Sequence, residues 1–451
     1  MDDKTMEIYK AKGFTLKEAV AEAKRCLNCV KPTCRRGCPI ENEIPAFIRE
    51  LANGNLGQAS AVIARRSNLP AVCGRVCPRE RQCEGSCVLN ADGRAIQIGK
   101  LERFIADMDG DLEITPLPKL WEEKGRVAVI GSGPAGLTVA GDLAKMGFKV
   151  AVFDAQSEPG GVLMYGIPAF RLSKSVVRRE IQKIERLGVQ FRTNVMVGQD
   201  LTLDDIFLQG FDAVFVGTGN SVAKNLNIEG KNLPGVVEAT YLLQMVALVN
   251  QGSVDREEIP VRGGDRVVII GAGNVAMDAA RTAQRENAAQ VTVVFRETEN
   301  KIAALPSEVE VAKREGVIFT GLKSPIKFVG DTKVTGVQCE IREKQGDKVV
   351  GTGEFETIPA DRVIIAIGQK PAARIIATTH GIEVNEGGFV RTKERPYGMT
   401  TRHGVFSGGD VVHGPATVVR AMKDAKKVAL GIAQYVEAKK LMEECGLKIK
   451  E

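Results

Sequence analysis

The chain has 451 residues, of which 44% are hydrophobic and 26% are charged, and its formal net charge is only +6. This composition is ordinary for a chain of several globular domains, and it gives no reason to expect binding to nucleic acid. No apolar run is long enough to span a bilayer, and residues 1–10 are charged and unlike a signal peptide, so we expect a cytoplasmic protein without a membrane anchor.

Eight of the ten cysteines lie in two groups near the start of the chain: Cys26, Cys29, Cys34 and Cys38, then Cys73, Cys77, Cys83 and Cys87. The first group reads C-x2-C-x4-C-x3-C-P, close to the ferredoxin-type pattern in which the fourth cysteine binds the other of two clusters. Zinc ribbons usually contain two C-x2-C pairs, and only one pair here has that spacing. The pattern therefore favours iron–sulfur clusters, with structural zinc as the alternative. A disulfide framework is not expected in a reducing compartment.

The periodicity of residues 16–23 and 44–52 predicts amphipathic helices among these cysteines. Residues 109–124 then break the pattern with two prolines and the only tryptophan, Trp121. This stretch predicts a linker, in which Trp121 packs between domains.

A dinucleotide-binding fingerprint follows the linker. Residues 127–130 predict a strand, residues 137–146 a helix and residues 150–153 a second strand. Between the first strand and the helix, Gly131 permits a tight turn, Gly133 lets the backbone approach a pyrophosphate, and Gly136 lets helix and strand pack closely. Asp154 ends the second strand, where an acid binds the ribose hydroxyls.

The same pattern recurs at residues 266–295, with Gly271 and Gly273 in its turn. Here the second strand ends in Arg296, which can pair with the 2′-phosphate of NADP or simply face solvent; Glu297 beside it would repel a phosphate. We therefore expect FAD at the first fingerprint and a nicotinamide cofactor at the second. Residues 211–219 and 362–368 are expected to be closing strands, and Gly408-Gly409-Asp410 precedes a predicted helix at residues 417–436.

The order of these parts (cysteine-rich segment, GSGPAG, PGG, GAGNVA and a late GGD) resembles that of glutamate synthase small subunits. It is equally similar to the large subunit of the bifurcating ferredoxin-NADP transhydrogenase and to the N-terminal half of dihydropyrimidine dehydrogenase. The resemblance implies a multidomain α/β chain: a helical domain with two [4Fe–4S] clusters, then two Rossmann-like domains, the NAD(P) domain inserted in the FAD domain. The implied limits are 1–110 for the cluster domain, 111–124 for the linker, 125–225 and 371–451 for the FAD domain, and 226–370 for the NAD(P) domain.

The resemblance also implies ligands and contacts. One cluster would be held by Cys26, Cys29, Cys34 and Cys87, and the other by Cys38, Cys77, Cys83 and Glu102. Cys73 would be a spare buried thiol, and the alternative for Glu102 is a surface carboxylate. FAD would contact Gly131, Gly133, Pro134, Ala135, Gly136, Asp154, Gly161, Arg171, Gly409, Asp410 and Thr417. The nicotinamide cofactor would contact Gly271, Gly273, Asn274, Arg296, Ala366, Ile367 and Gly368.

These parts predict an enzyme that oxidises NADPH or NADH, transfers the hydride to FAD and sends single electrons through two [4Fe–4S] clusters to a partner. The domains account for the whole chain, so we expect the partner to convert the substrate. The first candidate partner is the large subunit of glutamate synthase, and the second is a small flavoprotein that exchanges electrons with ferredoxin. No side chain is expected to act as acid or base, and His413 is expected to pack or hydrogen-bond. A third hypothesis, a zinc-binding scaffold without redox activity, predicts a colourless protein.

Overall fold

The computed structural model describes residues 13–112, 114, 123–372 and 379–447, so the predictions for residues 1–10 and for Trp121 lie outside the described residues. The chain forms two compact units. The first contains the described residues up to Met164, residues 169–220 and the described residues from Pro371 onward, and the second contains residues 165–168 and 221–370. Within this described part of the chain, no helix is both long and apolar enough to cross a membrane.

The helices and strands have the following bounds. The helices are α1 (Leu16–Lys24), α2 (Thr33–Gly37), α3 (Ile44–Ala52), α4 (Leu56–Ala64), α5 (Pro70–Val76), α6 (Ile98–Leu112), α7 (Pro134–Lys145), α8 (Val162–Tyr165), α9 (Lys174–Glu185), α10 (Leu203–Leu208), α11 (Ala239–Asn250), α12 (Asn274–Arg285), α13 (Pro306–Arg314), α14 (Asp410–His413) and α15 (Val418–Glu444). The strands are β1 (Gly125–Ile130), β2 (Phe148–Phe153), β3 (Gln190–Arg192), β4 (Ala213–Val216), β5 (Val222–Ala223), β6 (Val236–Glu238), β7 (Arg266–Ile270), β8 (Gln290–Val294), β9 (Ile318–Thr320), β10 (Lys323–Val329), β11 (Gly336–Gln345), β12 (Lys348–Pro359), β13 (Arg362–Ile365), β14 (Gln369–Lys370), β15 (Thr392–Glu394), β16 (Tyr397–Thr400) and β17 (Val405–Ser407).

The cysteine-rich segment is helical. Helix α1 begins with a capping box, in which the side chains of Thr15 and Glu18 each accept a hydrogen bond from the other residue's backbone N–H. A proline in the first turn starts α3 and α5, where its missing N–H costs no helical hydrogen bond. Helix α3 contributes Phe47 and Leu51, and helix α6 contributes Leu101, to one buried core. Cysteine side chains pack against the same core, which therefore supports the candidate ligands.

The first unit contains a sheet whose described strands have the order β15-β16-β17-β4-β1-β2-β3. The five strands from β17 to β3 are parallel, and β16 and β15 continue the sheet in antiparallel orientation. Strand β17 comes from the last part of the chain, so that part completes the sheet that β1 begins. The carboxyl ends of β1, β4 and β17 all lie at one edge, where a doubly wound sheet binds its ligand.

The second unit contains a parallel sheet of order β6-β13-β7-β8-β9, with β7 at its centre. Its core includes Ile269, Met277, Val293 and Ile364, which come from β7, α12, β8 and β13. A three-stranded antiparallel sheet of order β10-β11-β12 and a β5–β14 pair complete the described part of this unit.

Three features differ from the sequence prediction. Helix α6 continues to Leu112, so residues 109–112 of the stretch predicted to be a linker are helical. Helix α15 continues to Glu444 instead of ending at residue 436, because its last two turns are exposed or half-buried and do not continue the buried apolar pattern; Lys439 and Glu443 are 4.0 Å apart on adjacent turns. The antiparallel sheet at residues 323–359 was not predicted from the sequence. Its last strand, β12, is largely exposed, so it lacks the apolar alternation that signals a strand.

Candidate functional site

The first cavity in the helical segment is lined by four cysteines: Cys26, Cys29, Cys34 and Cys87. Cys26 follows the end of α1, Cys34 lies in α2, and Cys87 precedes the 3₁₀ turn Val88–Asp92. The rest of the lining is mostly aliphatic. The fold thus brings together residues that are separated by up to 61 positions in the sequence (87 minus 26).

The apolar lining disfavours charged thiolates in this cavity. Burial raises the pKa of the Cys34 thiol to about 11 and also raises the pKa of Cys26. Neighbouring thiols add to both increases, because like charges at short range repel. Ionised cysteines therefore require positive charge among them, which iron supplies when it binds. Four thiols around a largely aliphatic cavity fit a [4Fe–4S] cluster.

The second cavity is lined by five potential ligands: Cys38, Cys73, Cys77, Cys83 and Glu102. Its lining also includes Asn42, Arg79 and Val419. Glu102 Oε1 accepts a hydrogen bond of 3.2 Å from Asn42 Nδ2. Burial raises the pKa of Glu102 to about 8, although Arg79 and Asn42 act in the opposite direction. Burial also raises the pKa of Cys38 to about 12. The structure thus places Glu102 inside the cavity, together with the cysteines.

Cys73 makes five donor side chains in this cavity instead of four. It is 2% exposed, and its Sγ lies 3.6 Å from Met422 Sδ. A hydrogen bond with Cys77, together with burial, holds the pKa of Cys73 well above its ordinary value. Among the described residues, no three Cys, His, Asp or Glu side chains converge as ligands of a single metal ion. The thiolates of a [4Fe–4S] cluster bind different irons, so its ligands surround a cavity.

The glycines of the first fingerprint come together at the start of α7. Gly131 has a φ of +91°, and a Cβ there would lie 2.7 Å from the carbonyl oxygen of Gly217. A Cβ on Gly136 would lie only 1.9 Å from the carbonyl oxygen of Gly131. By contrast, a Cβ on Gly133 would meet nothing within 4 Å. Open space at this glycine, in front of a helix N-terminus, fits a bound pyrophosphate.

The predicted contacts from later segments lie around the same turn. A Cβ on Gly161 would lie 2.9 Å from Gly133 Cα, and one on Gly409 would lie 2.8 Å from Ala135 Cβ. Pro134 is the first residue of α7, and Arg171 is half-buried in the loop before α9. The structure therefore brings the GSGPAG, PGG and GGD segments together.

Asp154 lies at the end of β2, as predicted, but it is already engaged within the protein. Its Oδ2 accepts hydrogen bonds from both the backbone N–H and the hydroxyl of Ser132, and Oδ1 accepts one of 2.9 Å from the Gln156 N–H. Ser132 also accepts a 2.8 Å hydrogen bond from the Gly160 N–H. Ser132 thus joins the fingerprint to the PGG segment, a role that its variable position in G-x-G-x-x-G did not indicate.

Buried polar atoms near this turn lack a partner among the described residues. They are Thr218 Oγ1, both side-chain polar atoms of Asn220, and Thr417 Oγ1. Buried polar groups in proteins are nearly always hydrogen-bonded, so these atoms fit contacts to a bound polar group such as FAD. Thr417 was predicted, whereas Thr218 and Asn220 were missed; their place just after a buried strand at the ligand-binding edge could have identified them.

Asp410 begins the short helix α14, directly after Gly409. Burial raises the pKa of Asp410 to about 6, although the Ala416 backbone and His413 act in the opposite direction. His413 contacts Asp424, with 3.0 Å between Nε2 and Oδ1. That hydrogen bond raises the pKa of His413. The charge around the GGD segment therefore depends on the protonation of Asp410, His413 and Asp424.

The second fingerprint has the same design within the second unit. Gly271 has a φ of +113°, and a Cβ there would lie 2.5 Å from the carbonyl oxygen of Ala366, whereas a Cβ on Gly273 would meet nothing within 4 Å. Asn274 Oδ1 accepts a 3.1 Å hydrogen bond from the Leu305 N–H. Ile367 and Gly368 continue from Ala366 after β13, so this predicted stretch lies beside the Gly271 turn.

Arg296 follows β8 and is exposed, and among the described residues no hydrogen bond or ion pair engages its guanidinium. The neighbouring Glu297 lies 3.9 Å from Lys301 Nζ. Lys301 therefore partly offsets the acid that would repel a phosphate. The strand end offers a cation in the place where a 2′-phosphate is bound in such folds.

Comparison with known proteins gives two family matches that together cover most of the chain. Residues 4–113 match the family described as dihydropyrimidine dehydrogenase domain II, 4Fe-4S cluster, and residues 125–425 match the pyridine nucleotide-disulphide oxidoreductase family. The glutamate synthase [NADPH] small chain of Halomonas elongata is 37% identical over 444 residues, which cover 96% of this chain and 93% of that one. The corresponding small chain of Escherichia coli K12 is 36% identical over 447 residues, with 96% and 94% coverage.

The chain belongs to the glutamate synthase small-chain family. A solved structure of FprA from Mycobacterium tuberculosis in complex with NADPH has a TM-score of 0.58 at 21% identity, over 72% of this chain and 87% of that one, and supports the fold alone. The predicted fold class is confirmed: a helical iron–sulfur segment is followed by Rossmann-type units, with the nicotinamide unit inserted in the flavin unit. The chain is an NAD(P)H-dependent oxidoreductase with FAD and [4Fe–4S] cofactors.

Proposed function

We propose that this chain is the electron-input subunit of a glutamate synthase, which oxidises NADPH and delivers electrons to a larger partner chain. Two relatives that match nearly end to end are named as NADPH-dependent small chains, which supports both the nucleotide and the partner. When bound, FAD takes two electrons as a hydride and the clusters pass them on singly. The domain limits predicted from the sequence are part of this proposal.

We assign the ligands by cavity. Cys26, Cys29, Cys34 and Cys87 would hold the first cluster, and Cys38, Cys77, Cys83 and Glu102 the second. The two linings support this division, because each contains one of these sets. The flavin would occupy the turn around Gly133 and Gly409, and the nicotinamide cofactor the turn around Gly273.

The order of the electron carriers rests on one observation: Val419 of helix α15 lines the second cavity. It lies two residues after Thr417, the N-cap of that helix and a proposed flavin contact. The second cluster would therefore be the nearer one to the flavin. The two cavities share Ile44 and Ile98 in their linings, which supports the first cluster as the next electron carrier.

The first cavity approaches the protein surface. Leu27 and Val88 are in its lining and are 61% and 45% exposed. Among the described residues, these exposed side chains would lie between the first cluster and a docked partner, so we propose that electrons leave here. The first cavity lies near the surface, and the second contacts α15. Both observations support electron flow from the flavin to the second cluster and then to the first.

Glu102 provides a test of the ligand assignment. We expect Glu102→Gln to retain the second cluster but raise its reduction potential, because a neutral ligand removes negative charge that opposes reduction. Glu102→Ala should lose iron from this cluster. Iron content and redox titration followed by electron paramagnetic resonance measure both effects.

The matched control is Glu80→Gln, which removes the same charge from an exposed position in the same helical segment. Water and salt screen an exposed charge, so we expect this variant to keep its iron and to change the cluster potential little. Unchanged iron content and potential in both Glu102 variants would exclude Glu102 as a ligand.

Arg296 provides a test of nucleotide choice. We expect Arg296→Ala to raise the KM for NADPH about 10- to 100-fold at similar kcat, because a charge-assisted contact with the 2′-phosphate is lost. The KM for NADH should change little, since NADH lacks that phosphate. Arg314→Ala, which removes an exposed arginine from the same unit, is the control. Equal losses with both nucleotides would place Arg296 elsewhere in the binding site.

The overall proposal is tested by purifying the chain from its native cell under anaerobic conditions. We expect a larger chain to co-purify, and we expect NADPH to bleach both flavin and cluster absorbance. A small flavoprotein that exchanges electrons with ferredoxin, found in place of the large chain, would replace this proposal with the transhydrogenase hypothesis. A chain whose absorbance NADPH does not change would refute both enzymatic hypotheses.

A further inference from the structure

One buried carboxylate in the first unit accepts hydrogen bonds from three donors that surround the GGD turn. Asp424, in α15, is 9% exposed. Its Oδ2 accepts a 2.7 Å hydrogen bond from the Gly409 backbone N–H. Its Oδ1 accepts a 2.8 Å bond from the Tyr397 hydroxyl and lies 3.0 Å from His413 Nε2. Oδ2 therefore binds the backbone of the turn, and Oδ1 binds the side chains of Tyr397 and His413.

The turn has little freedom to move away from this carboxylate. A Cβ on Gly408 would lie 2.7 Å from Asp424 Oδ2, and one on Gly409 would lie 2.8 Å from Ala135 Cβ, at the start of α7. The turn is thus enclosed between Asp424 on one side and the first fingerprint on the other. A small displacement of the carboxylate would displace the Gly409 peptide.

The carboxylate is held in its ionised form. Burial alone would raise the pKa of Asp424, but the hydrogen bonds from His413, Gly409 and Tyr397 together hold it below its ordinary value. An ionised acceptor makes stronger hydrogen bonds than a neutral one. Because the Gly409 N–H is used in this way, it is not available to a cofactor.

We propose that Asp424 is a positioning residue for the flavin: it fixes the Gly409 peptide so that Asp410 and the start of α15 face the cofactor. This inference rests on the proposed flavin site and adds to it a residue that the fingerprints do not contain. Because the Gly409 N–H is bonded to Asp424, Gly409 would contact the flavin through its other atoms, and Asp410 and the residues after it would supply the polar contacts.

The test compares Asp424→Asn with Asp142→Asn in the full-length holoprotein. Asp142 is a matched control, because it is 8% exposed, lies in the same unit and makes a 2.7 Å ion pair with Lys426, on the same helix as Asp424. An asparagine at 424 can present only one oxygen, so either Gly409 or the Tyr397–His413 pair loses its acceptor. We expect Asp424→Asn to weaken FAD binding on the order of tenfold or more and to change the visible circular dichroism and the midpoint potential of the flavin. Asp142→Asn should lower thermal stability but leave these flavin properties unchanged.

A second variant keeps the test decisive if Asp424→Asn does not fold. Tyr397→Phe combined with His413→Gln weakens the contacts to Oδ1 and leaves the acid and Gly409 intact. We expect a smaller change in the same flavin properties, in the same direction. If these variants bind FAD but have the same flavin spectra and midpoint potential as Asp142→Asn, the positioning role is refuted. A wild-type chain that binds no FAD would instead refute the proposed flavin site itself.

Discussion

Replacement of Gly133 by alanine is expected to leave the fold intact and to abolish FAD binding. The residue has φ of −68° and ψ of −177°, which alanine adopts freely, and its Cβ would meet no atom of the described residues within 4 Å. The added methyl group would instead occupy the space in front of α7 where the pyrophosphate is expected to approach the backbone. Without FAD, we expect the free energy of unfolding to stay within about 0.5 kcal/mol of wild type. FAD affinity, measured by flavin fluorescence, should fall at least about 100-fold.

Gly136→Ala is the comparison variant, because its added methyl group would disturb packing within the protein and not the space for the cofactor. Its Cβ would lie 1.9 Å from the Gly131 carbonyl oxygen, which is backbone and has little room to shift. We therefore expect Gly136→Ala to lose stability even without FAD, unlike Gly133→Ala. If Gly133→Ala keeps normal FAD affinity, the pyrophosphate does not lie at this turn.

Replacement of Cys77 by serine is expected to interrupt electron flow between the flavin and the first cluster. Cys77 lies at the C-cap of α5, lines the second cavity and does not line the first. NADPH should still reduce the flavin, and a small soluble dye should still reoxidise it. Delivery of electrons to the first cluster should fall more than about 100-fold, because the intermediate carrier is lost or altered. Rapid-mixing absorbance with freeze-quenched paramagnetic resonance resolves these steps.

The matched control is Cys445→Ser, which makes the same substitution at an exposed cysteine outside both cavities. We expect this variant to behave as wild type. Normal reduction of the first cluster in Cys77→Ser would show that electrons bypass the second cavity, and the order of carriers proposed above would be wrong.

Much of the fold could be predicted from the sequence because its signals are local. Each unit contains an apolar strand, a glycine turn and a helix in one continuous stretch, such as residues 125–153 in the first unit. The grouping of Cys34 with Cys87 in one cavity could not be predicted from local signals. Spacing alone does not show which cysteines share a cavity, and the division came from a family resemblance before the structure placed these residues together.

The remaining features depend on contacts between distant segments. Asp424 is one of four acids in helix α15, and its role is shown only by the approach of Gly409, 15 residues earlier in the chain. Ser132 occupies an unspecified position of the fingerprint, yet it bridges Asp154 and Gly160. Strand β12 of the antiparallel sheet is largely exposed and carries little apolar pattern, so neither periodicity nor composition identified it.

The partial exposure of Leu27 and Val88 has a consequence for handling the protein in air. Dioxygen that reaches an iron–sulfur cluster can oxidise and dismantle it, and these two side chains would be the thinnest cover over the first cluster. By contrast, every residue in the lining of the second cavity is buried or half-buried. Damage should therefore begin at the first cluster, and a docked partner should protect it by covering the same surface. The partner would then act as a shield against oxygen as well as an electron acceptor.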